Sequence, residues 1–155
     1  MIIMEKIQIT PKHLQWLAAR LKIEDAENLQ FDFESLLKQM PSGLFSFPSG
    51  TVIVAEGEKG DDLFVVYSGT LLVIRKQGYP VPQEIGKLCE GDFFGEIGFL
   101  MNSPRSATVK AATEVRLFKF KACDFSALMK KHKVLEDWVK STAKNRLEKL
   151  FITNL

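Results

Sequence analysis

The distribution of glycine constrains the fold of this chain more than any other feature. All ten glycines lie between Gly43 and Gly98, so the first 42 and the last 57 of the 155 residues contain none. Five of the six prolines lie between Pro41 and Pro104. Because glycine and proline favour turns and are unfavourable inside helices, the middle of the chain is predicted to be turn-rich and the flanks helical. This pattern excludes a uniform helical bundle and an array of repeated units.

The length and composition are those of one globular domain, residues 1–155, with 46% hydrophobic and 26% charged residues. No apolar run approaches the roughly 20 residues of a membrane span. The start of the chain, residues 1–6, is too short an apolar segment for a signal peptide. Cys89 and Cys123 do not form a disulfide framework and are expected to be reduced thiols. We therefore expect a soluble, cytoplasmic protein.

The spacing of apolar residues changes twice along the chain. Residues 1–43 are predicted to be an N-terminal helical segment of one or two short helices, with Thr10 capping the first and Pro11 in its first turn. Short β-rich runs then follow each other, separated by glycine and proline turns. This spacing predicts a small barrel or two-sheet sandwich over residues 44–120. The predicted strands are 44–47, 52–56, 63–67, 71–75, 84–88, 107–111 and 115–120.

The helical period returns after residue 120, with a short helix predicted over 124–131 and a longer one over 132–151. One face of the longer helix is apolar: Leu135, Val139, Thr142, Ala143, Leu147 and Leu150. Residues 119–155 carry nine Lys and Arg against four Asp and Glu. A basic segment can bind nucleic acid, but these lysines are spread along helices, which favours a solvated helix face.

The residues exclude several kinds of chemistry. Metal-dependent jelly-roll enzymes need two or three converging histidines, whereas His13 and His132 both lie outside the predicted barrel. A serine triad would have no barrel histidine as its base. A phosphate-binding P-loop is absent, because the only Gly-Lys pair is followed by Leu88. We expect neither enzymatic activity nor a metal or other cofactor.

One constellation remains, between residues 91 and 108. Gly95 and Gly98 allow a ligand to approach the backbone, and Arg105 offers a planar fork of donors suited to a phosphate. Ionised Glu96 only accepts hydrogen bonds, so it needs a donor such as a sugar hydroxyl. Together these residues describe a pocket for an anion that carries a neighbouring hydroxyl. The alternative is an ordinary surface salt bridge between Glu96 and Arg105.

The run from Phe94-Gly95-Glu96-Ile97 to Pro104-Arg105-Ser106-Ala107-Thr108 resembles the phosphate-binding cassette (93–108) of cyclic nucleotide-binding domains. Within this family the chain resembles the catabolite activator and protein kinase A regulatory subunit type, in a stand-alone bacterial form. The turns within 47–53, 56–66 and 68–69 resemble the barrel turns of this family, and the likeness covers about residues 44–150. It implies an eight-stranded jelly-roll barrel with N-terminal helices and two C-terminal lid helices over 124–152.

The resemblance implies a ligand, a 3′,5′-cyclic nucleotide, and a role for individual residues. Arg105 would contact the cyclic phosphate and Glu96 the ribose 2′-hydroxyl, while backbone amides near Gly98 and Ala107 complete the phosphate site. Val73 would line the ribose and base, and Trp138, Val139 and Arg146 are open candidates for covering the base. The implied binding residues are Val73, Phe94, Gly95, Glu96, Ile97, Gly98, Arg105, Ser106 and Ala107.

Two positions bear on origin and ligand choice. Many eukaryotic members have Ala-Leu where this chain has Gly98-Phe99, and glycine there favours a bacterial origin. Cyclic GMP-selective members often carry threonine and cyclic AMP-selective members alanine where this chain has Ser106. Serine does not decide between the two nucleotides, and we favour cyclic AMP because it is the commoner ligand of the family.

No residues follow the last predicted helix that could form a DNA-reading unit, so a DNA-binding transcription factor is not expected. We expect a sensor that signals, by rearrangement of its C-terminal helix, to a separate effector protein or within a homodimer. We do not expect a membrane as a partner. Two alternatives stay open. The fold could be a degenerate interaction or dimerisation module whose pocket is filled by Phe93, Phe94 and Phe99, or it could accept another anionic ligand.

Overall fold

The computed structural model describes residues 4–22 and 43–153, which contain nine strands and four helices. In chain order they are β1 (Glu5–Ile7), α1 (Pro11–Arg20), β2 (Leu44–Phe47), β3 (Val52–Val54), β4 (Leu63–Ser68), β5 (Leu71–Arg75), β6 (Gln83–Leu88), β7 (Phe93–Phe94), α2 (Glu96–Met101), β8 (Thr108–Ala111), β9 (Val115–Phe120), α3 (Ala122–Lys131) and α4 (Lys133–Thr153).

The strands form two antiparallel sheets, one in the order β1-β2-β9-β4-β7 and the other in the order β3-β8-β5-β6. Strands β2 to β9 are the eight strands expected of a jelly roll, so the mainly β fold with flanking helices is confirmed. Strand β1 is an addition, because its residues were predicted to be part of a helical segment. It pairs with β2, where Glu5 lies opposite Ser46 and Ile7 opposite Leu44.

Successive side chains of β4 point alternately into two hydrophobic cores. Phe64 and Val66 point between the sheets, whereas Leu63 and Val65 join a second core that includes residues of the helices, which we call the outer core. Because helices cover the outer face of this sheet, β4 reads as a continuous apolar run rather than as an alternating one. The core between the sheets forms the floor of the site described below.

Helix α1 begins as the sequence predicts. Thr10 is its N-cap, and the backbone N–H of His13 donates to the Thr10 hydroxyl, while Thr10 N–H donates to His13 Nδ1 at 3.0 Å. Leu14 and Leu17 are buried in the outer core, and Trp16 stacks on Phe118 with ring centroids 6.1 Å apart. The possible second short helix of the N-terminal segment would fall within residues 23–42, which lie outside the described residues.

Helices α3 and α4 close the fold. Helix α3 starts at Ala122, two residues before the predicted start, because the extended Lys121 already serves as its N-cap. Leu135 and Val139 of α4 are fully buried, so the first half of its apolar face packs against the outer core. Leu147 and Leu150 remain half-buried near the site. None of the helices within 4–22 and 43–153 has the length and apolar character needed to cross a membrane.

Candidate ligand-binding site

The cassette turns sharply at Gly95, between β7 and α2. Gly95 has φ +94°, and a Cβ there would lie 2.5 Å from the carbonyl oxygen of Asp62 and 3.0 Å from Arg105 Nη1. Only glycine combines this left-handed conformation with so close an approach. From the sequence, the missing side chain at Gly95 is expected to let a ligand approach the backbone. The structure fills this space with the protein's own carbonyl and guanidinium groups.

Arg105 is held by the loop that precedes β4. Its backbone N–H donates to the Glu58 carbonyl and its carbonyl accepts from Gly57 N–H, each at 2.9 Å. Its Nη1 donates to the Asp62 carbonyl at 3.0 Å and to the Gly95 carbonyl at 3.5 Å. The side chain is only 8% exposed. Burial lowers the pKa of the guanidinium, and nearby carboxylates, Asp62 foremost, oppose that shift. Arginine still carries its charge at neutral pH.

Glu96, the first residue of α2, is 1% exposed. Its Oε1 accepts a hydrogen bond of 2.7 Å from Arg146 Nη1 of helix α4. Among residues 4–22 and 43–153 the structure shows no ion pair between Glu96 and Arg105, so the simple surface pair considered from sequence is wrong. A buried carboxylate needs a charged or hydrogen-bonding partner, and here a residue fifty positions away provides it.

The cassette cavity, a partly open space between the cassette and the inner face of the β3-β8-β5-β6 sheet, has a volume of about 90 Å³. All nine residues implied from the sequence border it. Three apolar residues that the sequence interpretation did not name, Val54, Leu88 and Val109, border it as well. They occupy inward positions of predicted strands, and their alternation with outward residues is the signal that could have identified them.

The three candidates for covering the base lie in different surroundings. Val139 is fully buried in the outer core. Trp138 packs edge-on against Phe93, with ring centroids 4.7 Å apart. Only Arg146 borders the cassette cavity, where its guanidinium carbon also lies 5.0 Å from the centre of the Phe93 ring. The geometry therefore separates residues that the helical periodicity left equivalent.

The phenylalanines that could fill the pocket mostly point elsewhere. Phe93 packs in the outer core. Phe99 packs against the same core, with its ring centroid 6.3 Å from that of Phe125. Phe94 borders the cavity but stacks on Phe64 at 4.8 Å. The side chain from α4 that borders the cavity and binds Glu96 is an arginine, and of the three phenylalanines only Phe94 borders the cavity.

Comparison with known families decides the identity of this fold. The family described as "Cyclic nucleotide-binding domain" matches residues 44–132. The chain belongs to this family. Within it, 99 residues (64% of the chain) are 38% identical to a cyclic nucleotide-gated potassium channel of Rhizobium etli. An equally similar channel comes from Mesorhizobium japonicum. The match spans only 26% of the length of each channel.

Solved structures show the same fold. A cyclic nucleotide-binding domain from Methylobacillus flagellatus has a TM-score of 0.73 and 19% identity, over 97% of this chain and 85% of that one. The catabolite activator protein of Thermus thermophilus has a TM-score of 0.69 and 22% identity, over 86% and 60% of the two chains. The regulatory domain of Toxoplasma gondii protein kinase A, solved with cAMP, has a TM-score of 0.65 and 25% identity, over 84% and 48%.

Proposed function

We propose that this chain binds a 3′,5′-cyclic nucleotide in the cassette cavity and acts as a sensor or regulatory domain. One observation carries the proposal: a buried guanidinium, Arg105, and a buried carboxylate, Glu96, border the same small cavity. A cyclic phosphate requires donors, and the adjacent ribose 2′-hydroxyl requires an acceptor. The membership of the chain in the cyclic nucleotide-binding family supports this assignment.

In the proposed complex Arg105 binds the cyclic phosphate. Two backbone carbonyls fix Nη1, so the guanidinium is oriented before any ligand arrives. Glu96 accepts the 2′-hydroxyl, and the apolar lining that includes Val73 and Val109 contacts ribose and base. Cyclic AMP is the proposed ligand over cyclic GMP, because it is the commoner ligand of the family and Ser106 leaves the choice of base open.

Arg146 is the proposed cover of the base. The cassette cavity is about 90 Å³, well below the roughly 300–1,000 Å³ of ordinary ligand sites. A nucleotide must therefore displace the Arg146 side chain from Glu96 or move helix α4 outward. Either event changes the contact between α4 and the site, and the resulting rearrangement of α4 is the proposed signal. Ligand can bias the two helix positions only by its difference in affinity for them.

The proposed recipient of this signal is a separate effector protein or a second copy of the chain that contacts α4. No enzymatic step is proposed. The proposed compartment is the cytoplasm, where the exposed thiols of Cys89 and Cys123 stay reduced.

Calorimetric titration with cyclic AMP and cyclic GMP tests the proposal. We expect wild-type protein to bind, with cyclic AMP the tighter ligand, and Arg105→Ala to weaken binding by about 1.5–3 kcal/mol, the scale of a charged hydrogen bond. Arg116→Ala is the matched control, because Arg116 lies exposed on β9 away from the cavity and should leave affinity unchanged.

The same titration tests the alternatives. The small volume of the cavity and the Glu96–Arg146 contact favour a second candidate, a member of the family that acts through protein contacts without nucleotide. Absence of heat with either nucleotide would support that candidate. Binding that Arg105→Ala leaves unchanged would place the ligand elsewhere and contradict the proposed site.

A further inference from the structure

Arg75 breaks the pattern of the strand that carries it. Leu71, Val73 and Arg75 share the inward face of β5, because side chains alternate along a strand. Leu71 belongs to the core between the sheets, and Val73 packs against that core. An arginine in this series is a polar residue at a core-facing position. Such departures from the local pattern concentrate at functional sites.

The Arg75 guanidinium is buried with few partners. The residue is 7% exposed, and its Nε donates to the Gln77 carbonyl at 3.3 Å. Its Nη1 has no hydrogen-bond partner in the part of the chain that the structure describes. A buried charge is costly unless it is paired and hydrogen-bonded. The contacts present therefore leave this cation under-satisfied.

Arg75 borders a second cavity, which we call the Arg75 cavity. Its volume is about 460 Å³, and Arg105 and Ser106 form part of its wall together with Arg75. It adjoins the cassette cavity, because Arg105 and Ser106 border both. Two arginines and a serine thus border one space large enough for a small ligand.

The acidic residue at this cavity does not cancel the two cations. Glu56 also borders it, but its carboxylate oxygens accept from the backbone N–H groups of Lys76 and Gln77 at 2.8 and 3.0 Å. These bonds fix the turn after β5 and, through the Gln77 carbonyl, the position of the Arg75 Nε. The residues that border the cavity carry two positive charges and one negative charge, while the carboxylates of Asp62, Asp61, Glu58 and Glu96 act on Arg105 from outside it.

We propose that Arg75, with Arg105 and Ser106, forms an oxyanion subsite that takes a phosphoryl group. A planar guanidinium matches phosphate through two parallel hydrogen bonds, and a doubly charged anion suits two arginines. The phosphoryl group can be free inorganic phosphate or the phosphate monoester of a small molecule. The subsite shares Arg105 with the proposed cyclic-phosphate contact, so a bound cyclic nucleotide should compete with it, but its occupation requires no nucleotide.

Nuclear magnetic resonance of the full chain tests this subsite. Sodium phosphate is titrated against sodium chloride of equal ionic strength, while the Arg75 Nε–H and the Gln77 and Gly98 amides are monitored. We expect saturable shifts at Arg75 and Gln77 with phosphate only. Arg75→Gln, which keeps a donor but removes the charge, should weaken phosphate binding at least tenfold, whereas the exposed Arg116→Gln should not.

Three outcomes would overturn the subsite: no saturable response beyond that to chloride, wild-type affinity in Arg75→Gln, or shifts confined to the Gly98 side. The last would place phosphate in the cassette cavity instead. If Arg75→Gln does not fold, the location of the wild-type shifts decides. A parallel titration with adenosine 5′-monophosphate distinguishes the two sources. If the ligand is a phosphate monoester, adenosine 5′-monophosphate should bind more tightly than inorganic phosphate. If the ligand is free phosphate, adenosine 5′-monophosphate should not displace inorganic phosphate.

Discussion

The two arginines that border the cassette cavity are held in opposite ways. Arg105 is 8% exposed and is fixed by backbone carbonyls and by hydrogen bonds of its own backbone to the loop before β4. Arg146 lies on α4 with its side chain 29% exposed, and it reaches the cavity through one hydrogen bond to Glu96 and a contact with the Phe93 ring.

This difference divides the site into a rigid part and an exchangeable part. Rearranging Arg105 would break bonds of the barrel itself, whereas Arg146 can leave by breaking one ion pair. A sensor needs both properties, because a preorganised group lowers the cost of binding and a weakly held one supplies a second state. The following substitutions test this division.

The largest effect is expected from Gly95→Ala, which acts on the rigid part. The added Cβ would lie 2.5 Å from the Asp62 carbonyl oxygen, at a φ of +94°. Left-handed strain and overpacking together should lower the free energy of unfolding by about 2–4 kcal/mol. Urea unfolding followed by tryptophan fluorescence measures this loss.

Gly50→Ala is the matched control for that substitution. Gly50 has nearly the same φ, +89°, but nothing lies within 4 Å of the Cβ position. Only the backbone strain of about 1–2 kcal/mol should remain. Equal losses in the two variants would show that the close packing around Arg105 does not hold this part rigid.

Arg146→Ala should have a smaller effect and a different location. It leaves the buried Glu96 carboxylate without its partner, at a cost of about 1–2 kcal/mol once the partial exposure of Arg146 is allowed for. We expect faster amide hydrogen exchange in the last turns of α4 and unchanged exchange in α3 and the sheets.

Lys140→Ala provides the control within the same helix. Lys140 forms an exposed pair with Glu136 at 3.1 Å, four residues away, and its loss should cost about 0.5 kcal/mol or less. If Arg146→Ala accelerated exchange in the sheets as strongly as in α4, Arg146 would belong to the rigid part and the division would be wrong.

Most of the fold follows from the sequence because its turns are marked locally. Glycine and proline fix the ends of the strands, and the predicted and observed limits of β2, β5 and β9 coincide. Strand β1 could not be found in this way. It has three residues, too few for an alternating pattern, and it exists because β2, far along the chain, offers it an edge.

The site was predictable where side-chain type carries the information. The cassette pattern brings Glu96 and Arg105 to one cavity, as the resemblance implies. Residue type does not reveal that Arg105 binds the carbonyl of Asp62, because every residue has a carbonyl. Choosing Arg146 over Val139 also required knowing which side of α4 faces the outer core.

The smallest expected effect is a pH dependence of stability that arises from His13 and affects helix α1 only. Its Nδ1 accepts from Thr10 N–H, so protonation would break this one of the two hydrogen bonds between Thr10 and His13 that cap α1. Burial, followed by the charges of Arg116 and Lys12, lowers the pKa of His13 below its ordinary value of 6.5. Protonation therefore favours the unfolded chain, and the stabilisation present above pH 6.5 is lost as the pH falls toward the lowered folded-state pKa.

His13→Gln isolates this contribution, since glutamine at the same position can accept from the N-cap backbone but does not titrate. We expect the free energy of unfolding of wild type, measured relative to His13→Gln, to decline on acidification through that interval. Parallel pH profiles would contradict the role of His13. A loss of cyclic nucleotide affinity on acidification in wild type but not in His13→Gln would extend the effect from α1 to α4, through Arg20, whose guanidinium lies 5.0 Å from the centre of the Trp138 ring.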